Sequence, residues 1–232
     1  MTFPADFPIT KRWPPVNPEI LQLYSRATPN GVKISIALEE MGLAYEPHLV
    51  DFSSQDQHSP EFLSLNPNNK IPAIIDPDGP NGAPLGLFES GAILLYLAEK
   101  TGKLLAADPA TRYATIQWVM FQIGGMGPMF GQLDHFVRGA GKNIEDMRPR
   151  QRFVEEAERL LSVLDQHLDG REYLVGEFSI ADIAVAPWLR IIMLSQELRD
   201  LVDWDDLENI PAYLERFLAR PAVERGLKVL AD

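Results

Sequence analysis

The chain has 232 residues, 46% of them hydrophobic, with no cysteine and a formal net charge of −12. That length accommodates one large domain or two small ones with a sizeable core, and the acidic balance excludes nucleic-acid and anionic-membrane binders, which need an excess of Lys and Arg. Without cysteine, disulfide scaffolding, thiolate-ligated metal and catalysis by a protein thiol are excluded together, so any thiol chemistry must use a sulfur carried in by a ligand.

Residues 1–18 hold five prolines, Pro4, Pro8, Pro14, Pro15 and Pro18, and no periodicity. They are expected to form an extended arm laid over the surface and anchored by Trp13. No basic region followed by an apolar one opens the chain and no run of about 18 apolar residues occurs in it. Neither a signal peptide nor a membrane span is expected, and the default location is cytoplasmic. Residues 20–24 read as a strand. T-P-N-G follows at 28–31 with Asn30 where a helix N-cap belongs, and Ile34, Ala37, Leu38 and Met41 repeat at helical spacing until Gly42 stops the helix. Residues 45–50 give a second strand and 59–65 a short helix or turn.

K-I-P-A-I-I at 70–75 is a third strand with Pro72 at its entrance, where the ladder does not need an amide and a cis bond is plausible. A Gly/Pro turn at 76–82 leads to a fourth strand at 85–88. The polar elbow F-E-S-G then opens a helix with seven consecutive apolar residues, 92–98. The spacing between the first two strands demands a parallel crossover, while the last two can pair as a hairpin. Residues 19–103 are thus expected to form a small α/β domain. From 104 to 232 helical periodicity dominates, predicting an all-α domain. It includes a helix from about 110 kinked at 124–128, a loop at 139–146, a helix at 148–168, and an apolar helix opened by a Ser179/Asp182 capping box. Pro211 and Pro221 start two more helices. The helix at 92–98, apolar all round, should be covered by its own sheet and by the helical domain, making the two halves one rigid body.

The chemistry concentrates at 66–98. The residue before Pro72 is held extended, so Ile71 can offer its backbone to a bound peptide in an added-strand contact. The first turn of the following helix suits a carboxylate, with the Ser90 hydroxyl as a further donor, and Glu89 beside it can take an ammonium. A carboxylate site next to an ammonium site describes a free amino-acid end, so the combination points to a small peptide ligand. The bland alternative for Glu89-Ser90 is a plain helix cap. His48, His58, His135 and His167 lack metal-ligand spacing, and no metal site is expected. Asp203, Asp205 and Asp206 read as a solvated face.

These segments resemble a soluble glutathione transferase over residues 19–232. K-I-P-A-I-I-D and F-E-S-G-A-I-L-L-Y-L match that family's glutathione-site segments, and F-S-I-A-D-I-A-V-A-P-W its helical-domain capping motif. T-P-N-G-V-K and Q-W-V-M-F-Q-I-G-G-M-G-P-M-F-G-Q look most like the nu class. The resemblance implies a thioredoxin-like N-terminal domain followed by an all-helical C-terminal domain, glutathione or glutathione disulfide as ligand, and disulfide-bond reductase activity on a small disulfide. Conjugation of glutathione to an electrophile, or glutathione binding without turnover, are its alternatives. By motif position, Ile71, Glu89 and Ser90 would hold glutathione, helped by Gln57 and Lys70. Thr28 and Asn30 would face the sulfur, and Arg152 would reach the neighbouring subunit's site in a homodimer. Pro72, Ser179 and Asp182 take structural roles. Tyr24 and Ser25 are the other candidate hydroxyls. Tyr24 also reads as a strand-end core residue and Ser25 as a loop residue bonding its own backbone.

Overall fold

The computed structural model describes residues 6–231. Pro4 and the rest of residues 1–5, where the expected arm begins, lie outside it. The described chain divides into two compact units, residues 6–103 with 221–231 and residues 104–220.

In the first unit, β1 (Leu21–Ser25), β2 (Tyr45–Leu49), β3 (Ala73–Asp76) and β4 (Leu85–Phe88) form one sheet in the order β2-β1-β3-β4. β1 runs parallel to β2, with Leu21 opposite Tyr45, and antiparallel to β3, while β3 and β4 pair antiparallel as the short turn requires. β1 and β3 are the inner strands and are buried along their whole length, the polar Gln22, Ser25 and Asp76 included.

The crossover from β1 to β2 is α1 (Pro29–Met41). Its N-cap is Thr28, not Asn30 as expected: the Thr28 hydroxyl accepts the Gly31 N–H, and Pro29 occupies the first helical position, where its missing N–H matters least. Gly42 closes the helix in the left-handed conformation. A short α2 (Pro60–Leu65), capped by Ser59, precedes β3. α3 (Ser90–Thr101) follows β4 and buries Ile93, Leu94, Leu97 and Ala98. It is not covered all round, because Ala92 is exposed and Leu95 and Tyr96 are half-buried. Tyr96 turns its hydroxyl to Asp76.

The arm is not extended throughout. Residues Pro8–Lys11 make a 3₁₀ turn that buries Ile9. Ile9 joins a core cluster with Tyr24, Phe62, Ile71 and Ile75, and Trp13 packs against it. Trp13 anchors the arm as expected, donating its indole N–H to the Leu49 carbonyl at 2.9 Å with its ring edge-on to Tyr24 and Phe62. Arg12 pairs with Asp56, one residue before Gln57.

The last helix, α10 (Pro221–Lys228), belongs to the first unit and lies along α1. The contact is backbone to backbone. A Cβ on Gly226 would sit 2.6 Å from Ile36 Cα, and the Ser35 hydroxyl donates to the Gly226 carbonyl at 2.7 Å.

The second unit is helical. α4 (Pro109–Phe121) continues through a π turn at Gln122–Met126 into α5 (Gly127–Val137), so the Gly-rich stretch widens the helix for a turn instead of breaking it. α6 (Arg148–Leu168) and α7 (Ile180–Met193) follow, then α8 (Gln196–Leu201), which was not expected from the sequence, and α9 (Ile210–Leu218). The Ser179/Asp182 capping box is present. Asp182 is fully buried and also accepts from the Leu174 N–H at 3.0 Å and the Tyr213 hydroxyl at 3.2 Å. Burial pushes its pKa up to about 6, against the pull of those donors.

Candidate functional site

Two cavities in the first unit share Asn30, Lys70 and Ile71 as a common wall. The larger, about 490 Å³, is bounded also by Thr28, Phe52, Gln55, Gln57, His58 and Asn69. The smaller, about 150 Å³, adds Asn66, Asn68, Pro72, Glu89 and Ser90. Three segments, the T-P-N-G turn, the K-I-P entrance and the F-E-S elbow, therefore meet at one place.

Each is positioned by local structure. Ile71 stands just outside the β3 ladder, whose pairs begin at Ala73, and is joined to Pro72 by a cis peptide bond. Its side chain is held in the core cluster, which fixes the backbone at the cavity wall. Asn66 secures the preceding turn by donating its amide to the Lys70 carbonyl at 2.5 Å. Lys70 is exposed. Glu89 sits at the head of α3 with φ 74°, a conformation unfavourable for a residue with a Cβ. Its side chain makes no capping bond, which disposes of the plain-cap alternative and leaves an exposed carboxylate at the rim. Ser90 is buried at the first helical position, where backbone N–H groups have no partner within the helix. The Gln57 side-chain oxygen is buried without a hydrogen-bond partner in the protein, an arrangement that suits a donor such as a peptide N–H.

At the other end, Thr28 accepts the Gly31 N–H, and its own O–H hydrogen remains to be donated. The Gly31 amide is thereby occupied and is not a donor for a ligand. Gly31 also has a different reason for being glycine than letting a ligand near the backbone. A Cβ there would lie 1.9 Å from the Arg26 carbonyl oxygen, so the α1 turn closes on the loop before it.

The competing hydroxyls lie elsewhere. Tyr24 is fully buried under Trp13 and stacked on His48, with no hydrogen-bond partner for its hydroxyl. Burial, with the Glu46 charge adding to it, pushes that phenol well above its ordinary range, the opposite of what a thiol-activating group near neutral pH needs. Ser25 is buried and donates to the Arg26 carbonyl. Arg152 is exposed on α6, in the second unit, and lines neither cavity.

Sequence reading misses Lys33. It is fully buried on α1 and donates from Nζ to Asn30 Oδ1 at 2.8 Å and to Ser90 Oγ at 3.4 Å. Burial lowers its pKa to about 7, opposed by the charge of Glu89. The signal available is V-K-I-S-I, a lysine between apolar residues on a helix packed on more than one side.

Among the described residues no His/Cys/Asp/Glu group has metal-holding geometry, and no helix is long and apolar enough to cross a membrane.

Comparison with known proteins gives the same assignment from a different direction. The glutathione S-transferase N-terminal domain matches residues 19–99 and the C-terminal domain residues 148–221. The disulfide-bond oxidoreductase YfcG of Escherichia coli is 44% identical over 210 residues, covering 90% of this chain and 94% of that protein. The disulfide-bond oxidoreductase YghU of the same organism is 38% identical, covering 96% of this chain and 79% of that protein. A glutathione transferase from Pseudomonas putida, solved with one glutathione disulfide per subunit, superposes with a TM-score of 0.97 at 60% identity, over 99% of this chain and 100% of that one. One from Burkholderia graminis, with two glutathione molecules per subunit, gives 0.95 at 62% identity, over 98% and 95%. The chain belongs to the glutathione S-transferase family.

Proposed function

We propose that this protein is a glutathione-dependent disulfide-bond reductase, binding glutathione or its disulfide in the two adjoining cavities and acting as a homodimer. The observation that carries this reading is the convergence of Thr28, Asn30, Gln57, Lys70, Ile71, Glu89 and Ser90 on those cavities in a chain with no cysteine. Glu89 takes the ligand's ammonium, Ser90 and the α3 N-terminus its carboxylate, and Ile71 its peptide backbone. Thr28 O–H and the Asn30 amide face the sulfur.

A thiol of this kind has a pKa near ~8.5, so only a few per cent is thiolate at neutral pH, and donors aimed at sulfur raise that fraction. The bound thiolate attacks one sulfur of a disulfide. The S–S bond breaks, a mixed disulfide with glutathione forms, and the departing thiolate takes a proton from water. A second glutathione thiolate attacks the glutathione sulfur of the mixed disulfide, releasing the other thiol and leaving glutathione disulfide. The protein supplies only position and hydrogen bonds, which is all a cysteine-free chain can offer.

The test compares turnover of 2-hydroxyethyl disulfide with that of an aromatic halide under excess glutathione. Reduction of the disulfide should dominate. Turnover of the halide alone would make the protein a conjugating transferase, and binding without turnover of either would make it a glutathione-binding protein.

A further inference from the structure

Lys33 lies behind the shared wall of the cavities, and a lysine ammonium carries donors and no acceptor. Asn30 and Ser90, which accept from it, are both amphoteric. Asn30 can turn either its carbonyl oxygen or its NH2 group to a neighbour, and Ser90 can turn either a lone pair or its hydrogen. A donor-only neighbour removes that choice. Asn30 must present its oxygen to Nζ, which directs the NH2 edge the other way, and Ser90 must present a lone pair, which directs its hydrogen away.

We propose that Lys33 is a positioning residue that fixes Asn30 and Ser90 as hydrogen-bond donors toward the anionic groups of glutathione, the sulfur at Asn30 and the carboxylate at Ser90. This rests on the glutathione-pocket reading above. The same group spans both ends of the site, because Asn30 is on α1 beside the larger cavity and Ser90 opens α3 beside the smaller one.

The burial of Lys33 gives this arrangement a pH dependence. Asn30 and Ser90, which face it from α1 and α3, are neutral; Glu89, at the head of α3, is the charged group that favours its protonated form. With a pKa of about 7, the free protein loses the ammonium near neutrality. A neutral amine can accept a hydrogen bond, and the requirement it places on Asn30 and Ser90 to present lone pairs is then lost. An anion bound close by raises the Lys33 pKa, so ligand binding draws in a proton.

The experiment is titration calorimetry with glutathione disulfide, which has no thiol proton to lose, at pH values from about 6.5 to about 8.5 and in two buffers of different ionisation enthalpy. Wild type, Lys33→Met and Lys33→Gln are compared, with a melting temperature for each. Wild type should take up a fraction of a proton on binding and weaken as pH rises. Lys33→Met replaces a buried charge by an apolar chain of similar length, so it should melt at or above the wild-type temperature. It should still bind about ten- to a hundredfold more weakly, with no proton uptake and a flat pH profile. If Lys33→Met does not fold, Lys33→Gln carries the same comparison, since its amide can accept as well as donate. Variant affinity within about twofold of wild type, or proton uptake that survives the substitution, overturns the role given to Lys33 and leaves the pocket standing. No binding by wild type overturns the pocket itself.

Discussion

At the residue scale the site pairs a strained backbone with an exposed carboxylate at Glu89. Because that side chain makes no capping bond, Glu89→Ala should leave the melting temperature within about 2 °C of wild type. It leaves the ligand ammonium unpaired, and glutathione affinity should fall about tenfold or more in calorimetry. Unchanged affinity would remove the ammonium site. Thr28 acts twice, as α1 cap and as sulfur donor, so Thr28→Val should lower stability by about 1 kcal/mol and also raise the apparent thiol pKa. Thr28→Ser should restore both. Asn30→Ala, which is not the cap, should raise the thiol pKa and slow turnover at neutral pH without that stability loss. Either donor removed should cost about 1–3 kcal/mol of transition-state stabilisation. Tyr24→Phe removes a hydroxyl with no partner and should keep full activity; an inactive Tyr24→Phe beside near-normal Thr28 and Asn30 variants would transfer the role to the tyrosine. Most of these residues are legible in the sequence, since K-I-P and F-E-S each advertise their chemistry within four residues. Lys33 is not, because its polar partner on α3, Ser90, lies 57 residues away in the chain.

At the element scale, the capping box of α7 carries the clearest energetic consequence. Asp182 is held by Ser179, Leu174 and Tyr213, yet burial still raises its pKa from 3.8 to about 6. Between those values the folded state holds the proton more tightly than the unfolded one. The contribution of this carboxyl to stability is therefore full below pH 3.8 and falls as pH rises towards 6. Asp182→Asn should be less stable throughout, because its NH2 group opposes the Ser179 N–H. In urea midpoints the gap from wild type should narrow between about pH 3 and about pH 7, which bracket the transition. A gap that widens with pH would show that the donors outweigh burial. The box itself, the parallel β1–β2 pair and the β3–β4 hairpin are legible from sequence because their signals are local. α8 is not, being one short helix of six residues, and the Asn30 cap is displaced because Pro29 fits the first helical position and leaves Thr28 outside it.

At the scale of the whole molecule, the homodimer proposal brings in Arg152, which lines neither cavity of its own chain. Its guanidinium can fork onto a ligand carboxylate of the neighbouring subunit. Sedimentation at micromolar concentration should show a dimer, and both Arg152→Ala and Arg152→Lys should weaken glutathione binding, since an ammonium does not reproduce the fork. A monomer, or unaltered affinity in Arg152→Ala, would refute the assignment. The placement of α10 has a separate consequence for the making of the protein. Ser35 and Gly226, which bond directly, are 191 residues apart. A ribosome adding about 5–20 residues per second therefore exposes the Ile36 face of α1 for roughly 10–40 seconds before the helix that covers it exists. The thioredoxin-like unit, although its strands come first, is completed only after the whole of the helical unit has been made.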